Sequence, residues 1–386
     1  MDHKDSFSSV NFIVITLLII LATTILVRGS NNMLQTTLPL LVTYNFGFSK
    51  FLVGILGAIF GLSTFFTTVV NARLNPKKRR VAFISSMILY TIVFFLYFLT
   101  DPFFVWLVTI ASGATLGFMM PNLVTAAGLF PDKNVRERSI SLYTTSLSLS
   151  LIIGPLYESY LLKILPLRDS FILFLPLAAV ALCLSPFIHF PVESNKNIKK
   201  RFSLNYGFRT AVYLNLSYAI PFILITLYAG IFAKSVLGAS LSDVTLYYTA
   251  FFSTSFLSRL TFSLKKNKSG MIVPVFLTMV LTLIGLGLIY ISSEIIIFVI
   301  ALALLGIPHG LSYPLSLLYL TRSYEPDDRN SANSYFFSIN TIVMVAGPII
   351  GGYTIQIIGF RETFLLIVPI ALILMFLVIL TIRPSN

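Results

Sequence analysis

Two nine-residue stretches, GATLGFMMP at 113–121 and GIPHGLSYP at 306–314, decide how this chain is organised. They lie 193 residues apart, half of the 386-residue length, and bring Gly113, Gly117 and Pro121 onto Gly306, Gly310 and Pro314. The same offset places Arg136 on Arg329, Ser141 on Ser334, Gly154 on Gly347, Pro155 on Pro348, Tyr160 on Tyr353, Arg168 on Arg361 and Phe171 on Phe364. Shared Leu or Ile would mean little in so apolar a sequence. Shared Gly, Pro and Arg at one constant spacing mark a duplicated half.

The composition says what each half is made of. The chain is 56% hydrophobic and only 11% charged, against about 25% charged in a soluble domain. Its mean hydropathy is +0.90. There is too little polar side chain to clothe a water-facing surface, so lipid must be the solvent for most of the chain. Runs such as VAFISSMILYTIVFFLYFL (81–99) match the roughly 20 apolar residues a helix needs to cross a bilayer. They are too long and too uniform for the alternating strands of a membrane barrel.

Twelve spans follow, at 11–43, 48–72, 81–100, 102–128, 138–163, 170–190, 206–233, 241–264, 270–291, 294–321, 331–357 and 361–383. The breaks carry turn or charge signals, among them NFGFS, NPKKRR, FPDKNVRER and LKKNKSG. The first span resembles a signal peptide's apolar core, but it runs on through Arg28 without a small-residue cleavage site and is expected to be retained. With the N-terminus inside, 21 of the 27 Lys and Arg fall on the cytoplasmic side and five opposite, Arg28 being the remaining one. That asymmetry puts both termini in the cytoplasm of a multi-pass cell-membrane protein. It also accounts for the net charge of +13 without nucleic acid.

Six spans per half is an even number, so both halves insert in the same sense. The expected architecture is an all-α membrane protein with twelve transmembrane helices arranged as two parallel-repeat six-helix bundles. Residues 1–194 form the N-terminal bundle, 195–205 a cytoplasmic linker and 206–386 the C-terminal bundle. Parallel repeats of this kind place a binding site near the membrane midplane between the bundles.

Several functions are excluded or disfavoured. A single cysteine, Cys183, permits no disulfide within the chain, and with three histidines leaves no metal set. No P-loop, Ser-His-Asp set or His-Glu-x-x-His motif is present. The chain reads as a monomer without cofactor and not as an enzyme.

The polar residues inside the spans are then the informative ones. In LATTILVRGSNNMLQTTLPL (21–40), Thr24, Arg28, Asn31, Asn32 and Gln35 fall on one helical face. An Arg at the bilayer centre costs about 2.5–3.5 kcal/mol on insertion scales. The stripe must therefore line a water-filled cavity or face a partner, and it is the leading candidate for contact with a solute. Glu158 is the one acidic residue well inside a span; it can pair with Arg28 if their helices adjoin, or carry a coupling proton. Asn215, Tyr218, Phe222 and Thr226 make a second polar face on span seven. His309, Tyr313 and Ser316 make a third on span ten, His309 read as a neutral, hydrogen-bonded ring. Asn122 and Asn340 are isolated amides on spans four and eleven. Pro121, Pro155, Pro314 and Pro348 each remove a helix hydrogen bond and can bend a span. Their recurrence in both halves, with Gly154 and Gly347 beside two of them, points to gating.

Six plus six parallel helices, a basic loop after the second span and a Gly-Pro motif in the fifth resemble the major facilitator superfamily of secondary transporters, over essentially the whole chain. The family's loop after span two runs roughly G-x-L-x-D-R-x-G-R-R; here NARLNPKKRR (71–80) keeps Arg79 and Arg80 and has Asn75 in place of the Asp. The fifth-span motif of its drug antiporters ends G-P-x-x-G-G. GPLYES (154–159) keeps Gly154 and Pro155, and its repeat GPIIGG (347–352) is complete. TIASG (109–113) has Thr109 and Ser112 where many proton-coupled members have Arg and Gln. The resemblance implies that spans one, four, seven and ten line a substrate cavity, and that Arg79 and Arg80 take part in gating. The expected function is secondary active transport of a small solute by alternating access, coupled to protons, with efflux of a small organic compound ahead of uptake of a polar or anionic metabolite. A non-transporting membrane sensor on the same scaffold is the remaining alternative.

Overall fold

The computed structural model describes residues 10–128, 130, 132–190, 204–264, 271–324 and 326–382. The side chains at 10–12, 76, 133, 137, 141, 326–331 and 334 fall outside that description. Most of the expected linker (195–205), the lysines of the 265–270 loop, and Arg329 and Ser334 of the repeat also lie outside it.

Twelve helical segments follow one another among the described residues. They are α1 (Val10–Tyr44), α2 (Lys50–Ala72), α3 (Pro76–Leu99), α4 (Val105–Ala127), α5 (Lys133–Leu161), α6 (Ser170–Leu184), α7 (Tyr206–Ser235), α8 (Leu241–Leu264), α9 (Ile272–Ile291), α10 (Ile295–Arg322), α11 (Pro326–Ile358) and α12 (Phe360–Thr381). Eleven are long and apolar enough to cross a membrane. The exception is α8, LSDVTLYYTAFFSTSFLSRLTFSL, whose Asp, Arg and many hydroxyl residues lower its hydropathy. Asn and Asp side chains at the surface close several helix starts. Asn75 and Asn205 accept from Lys78 and Phe208 N–H at 2.9 and 2.8 Å, capping α3 and α7. Asp132 caps α5 through Val135 N–H at 2.9 Å.

Close contacts divide the chain into two units: residues 1–46 with 59–195, and 47–58 with 196–386. In the first unit, α1 packs on α5 and α6, and α3 on α4 and α6. Rings zip the α3–α6 seam, with Tyr90–Phe94, Phe94–Phe174 and Tyr97–Phe171 centroids 5.1, 5.9 and 5.3 Å apart. In the second unit, α10 packs on α7, α8 and α9, while α12 packs on α7 and α9. A core of Phe208, Leu214, Val275, Leu315, Phe336 and Met375 fills the space they enclose.

The duplication reappears as repeated contacts. In unit one, Ser63 Oγ and Thr68 Oγ1 of α2 donate to the Ile110 and Gly117 carbonyls of α4, at 2.7 and 3.3 Å. In unit two, Thr254 Oγ1 and Arg259 Nε of α8 donate to Ala303 and Gly310 of α10, at 2.7 and 3.4 Å. The glycines exist for this approach: a Cβ at Gly113 would lie 2.5 Å from the Phe60 oxygen, and one at Gly306 would lie 2.1 Å from that of Phe251. Arg168 likewise donates to the Thr100 carbonyl after α3, and Arg361 to the Ser292 carbonyl after α9 at 2.6 Å. Shared arginines in the two halves thus tie down equivalent inter-helix turns.

Two of the repeated prolines gain a physical account from the same seams. Proline has no N–H for the carbonyl four residues before it. Pro121 leaves Gly117 without its helix donor, and Pro314 does the same to Gly310. Thr68 and Arg259 of the neighbouring helix approach those two carbonyls at 3.3 and 3.4 Å, Thr68 sharing its one hydroxyl hydrogen with the Thr64 carbonyl of its own helix at 2.8 Å.

One irregularity had no sequence signal. Between Leu224 and Gly230, α7 widens into a π segment, Ile225–Ala229. The buried Tyr248 hydroxyl sits in the gap, 2.8 Å from the Ile225 carbonyl and accepting from Gly230 N–H at 3.0 Å. Such bulges persist when something satisfies the displaced backbone groups.

Candidate functional site

The polar stripe of α1 lies within the first unit, and most of it is enclosed. Asn31 is fully buried and Asn32 is 2% exposed, yet both amide atoms of Asn31 and the Nδ2 of Asn32 have no hydrogen-bond partner. Arg28 is half-buried with its Nε enclosed and unpartnered. Tyr90 of α3 and Tyr143 of α5 are near enough to interact with it electrostatically. Tyr90 is satisfied by Ser30 Oγ at 2.9 Å and the Val27 carbonyl at 3.1 Å. Tyr143 is buried and its hydroxyl has no partner. Thr24 turns back onto its own helix, at 2.7 Å from the Ile20 carbonyl, and Gln35 is half-buried. Orphaned buried polar atoms are uncommon in folded proteins, and a cluster of them asks for a reason.

Arg28 and Glu158 are on adjoining helices but do not pair. Gly29 and Gly154 bring the α1 and α5 backbones together; a Cβ at 154 would lie 2.8 Å from the Gly29 oxygen. Beyond this crossing Glu158, fully buried, accepts from Thr36 Oγ1 at 3.1 Å and from Thr37 Oγ1. The two threonines were not singled out from sequence. Their place in QTT (35–37), directly after the last residue of the stripe, is the only signal that could have found them.

The remaining candidates divide. Asn122 donates to Asn71 Oδ1 of α2 at 2.9 Å and to the Phe118 carbonyl at 2.6 Å, a helix-to-helix tie with only its Oδ1 unpartnered. In the second unit Asn215 of α7 donates to Asn340 of α11, whose own amide N–H reaches Phe336 at 3.0 Å. Tyr218 donates to the Leu305 carbonyl at 2.5 Å. His309 shares a 2.7 Å hydrogen bond between Nδ1 and Ser255 Oγ, and its ring stacks on Phe222 with centroids 4.3 Å apart. Phe251, Phe252 and Tyr218 surround that pair at 5.3, 5.8 and 6.1 Å. The structure thus joins Tyr218, Phe222 and His309 in one aromatic cluster. Tyr313 stays 37% exposed beside Phe336.

Of the residues expected to gate, Pro155 and Pro348 are buried, while Pro121, Pro314 and Gly347 are half-buried. Gly347 packs on Ile223, and the Pro348 carbonyl lies 2.9 Å from the Tyr228 hydroxyl. Arg79 reaches the Leu74 carbonyl at 3.5 Å, and Arg80 donates to Pro186 at 3.0 Å. Both hold the start of α3.

Twelve helices among the described residues, in two repeated units, eleven of them apolar enough to span a bilayer and several carrying buried polar groups, define a polytopic membrane protein of the duplicated-bundle kind. The Major Facilitator Superfamily model matches residues 20–272 and 210–386, and the chain belongs to that family of transporters. No curated protein sequence matches it. Among solved structures, it is similar to a bacterial homologue of the human lysosomal transporter Spinster in an inward-facing, occupied conformation. That match has 13% identity over 96% of each chain and a TM-score of 0.75. The nucleoside transporter NupG matches at 14% identity over 96% of this chain and all of its own, with a TM-score of 0.73. The human organic anion transporter MFSD10 matches at 14% identity over 94% and 98%, with a TM-score of 0.67. At these identities the likeness is one of fold.

Proposed function

We propose that this chain is a secondary active transporter that moves a small polar solute across the cell membrane by exposing one site to the two sides in turn, with both termini in the cytoplasm. The site is the α1 stripe of Arg28, Asn31 and Asn32, with Tyr143 of α5 beside it. The observation that carries this is the set of enclosed, unpartnered polar atoms on these residues. Left dry, each such group costs about 1–3 kcal/mol. A solute that supplies the missing partners explains why they are there.

Glu158 is the coupling group in this reading. A carboxyl shut away among threonine hydroxyls can gain or lose a proton as its surroundings open and close, and intramembrane carboxyls commonly serve as relays. Within the second unit, Asn215, Asn340, Tyr218 and His309 remain proposed solute contacts of that unit by itself.

The test uses purified protein in proteoliposomes with a panel of labelled metabolites and an imposed pH gradient. Saturable flux that follows the gradient supports the reading, and its sign tells export in exchange for protons from uptake with them. Binding without flux under any gradient would favour a sensor.

A further inference from the structure

Resting on the reading of the α1 stripe as the solute site, we infer that the solute is an anion, a carboxylate or phosphate ester bearing at least one hydroxyl or amide hydrogen. The argument is a census of what the site lacks. Arg28 brings a positive charge and a fork of N–H donors, is half-buried, and has no carboxylate partner among the described residues. The one buried carboxylate among the described residues of the unit, Glu158, is held by Thr36 and Thr37 on the far side of the Gly29–Gly154 crossing.

Around that charge the unpartnered buried atoms are mainly donors. Asn31 Nδ2 and Asn32 Nδ2 can only donate, and Tyr143 can donate its hydroxyl hydrogen. Asn31 Oδ1 is the unpartnered acceptor, fully buried. A cation would meet the guanidinium with no acid to offset it. A neutral polyol would satisfy amides but leave the charge uncompensated in a low-dielectric site. An oxyanion offers several lone pairs to the guanidinium fork and the two amide N–H groups, and bidentate contact of this sort is what Arg geometry suits. The Asn31 oxygen then calls for a hydrogen on the same molecule.

The experiment measures thermal stabilisation of the purified full-length protein, at constant pH and ionic strength, by matched pairs. The pairs are lactate and lactamide, benzoate and benzamide, glycerol 3-phosphate and glycerol, and glucose 6-phosphate and glucose, with choline as a cation. At least one anion should stabilise wild-type protein with tenfold or better apparent affinity over its uncharged partner. Arg28→Gln should abolish that preference while staying folded, and Arg28→Lys should keep the preference more weakly. Asn31→Asp, which adds a negative charge beside Arg28, should weaken anion binding at least tenfold. If no anion outperforms its partner, or if the preference survives in Arg28→Gln, the anionic assignment is overturned. Saturable flux of an uncharged or cationic solute would overturn it too, while leaving the carrier reading intact.

Discussion

Arg28 and Glu158 face the same α1–α5 seam from opposite sides of the Gly29–Gly154 contact, and each has separate company. Glu158 is bonded by Thr36 and Thr37, and Arg28 lies toward Tyr90 and Tyr143. A pair locked together would have cancelled both charges and left neither for work. Kept apart on helices that touch backbone to backbone, they leave one for a solute and the other for a proton in the proposed carrier.

Glu158→Gln should therefore separate two activities. Flux driven by a pH gradient should drop to the level seen without one, while solute exchange at zero gradient continues, because Gln keeps the shape and its carbonyl oxygen still accepts from one of the two threonines. Proteoliposome assays at matched internal and external pH, and with a gradient, read both. A gradient response equal to wild type would remove Glu158 from coupling.

Arg28→Ala should cut solute flux by about a hundredfold or more, in line with the ~1.5–3 kcal/mol of a charged hydrogen bond and the loss of charge compensation. The protein should remain in the membrane with a melting temperature equal to or above wild type, since the variant removes an unpaired guanidinium. A sharp fall in melting temperature would mean that the charge holds the fold and not the solute.

Thr68 and Pro121 should be energetically coupled. Thr68→Val leaves the Gly117 carbonyl without a donor and should cost about 1 kcal/mol. In a Pro121→Ala background the helix N–H returns and the same change should be nearly neutral. A double-mutant cycle on denaturation in mild detergent measures the difference. Simple additivity would show that Thr68 does not serve the proline's orphan.

Gly113→Leu and Gly306→Leu should destabilise to similar extents, because each drives a side chain into the backbone of the preceding repeat helix. Overpacking of this kind costs about 1–3 kcal/mol and more where backbone must move. Melting curves of the two variants should shift together. Unequal shifts would break the equivalence of the α2–α4 and α8–α10 seams.

Much of the fold was legible because its causes are short-range in sequence. Apolar run length sets helix number, and Gly113/Gly306, Gly117/Gly310 and Arg168/Arg361 recur at one offset because the same seam or turn is built twice. The shortfall of α8 came from hydroxyls that turn to α10 carbonyls, which hydropathy scores as simply polar. The site was readable only in part. Arg28, Asn31 and Asn32 stand out because polar groups on an apolar helix are costly unless water or a partner meets them. Thr36, Thr37 and Tyr143 did not, since a threonine can satisfy itself on its own helix and a tyrosine is at home in a core; only three-dimensional neighbours distinguish them. Tyr248 in the α7 bulge was invisible for the same reason.

The most direct test asks whether the α1 stripe meets water from both sides of the membrane. With Cys183→Ser removing the single native cysteine, Asn32→Cys should react with a membrane-impermeant thiol reagent in right-side-out and in inverted vesicles alike. The account predicts labelling from each face, slowed in both by a bound solute. Labelling from one face alone, or from neither in a folded protein, would contradict it.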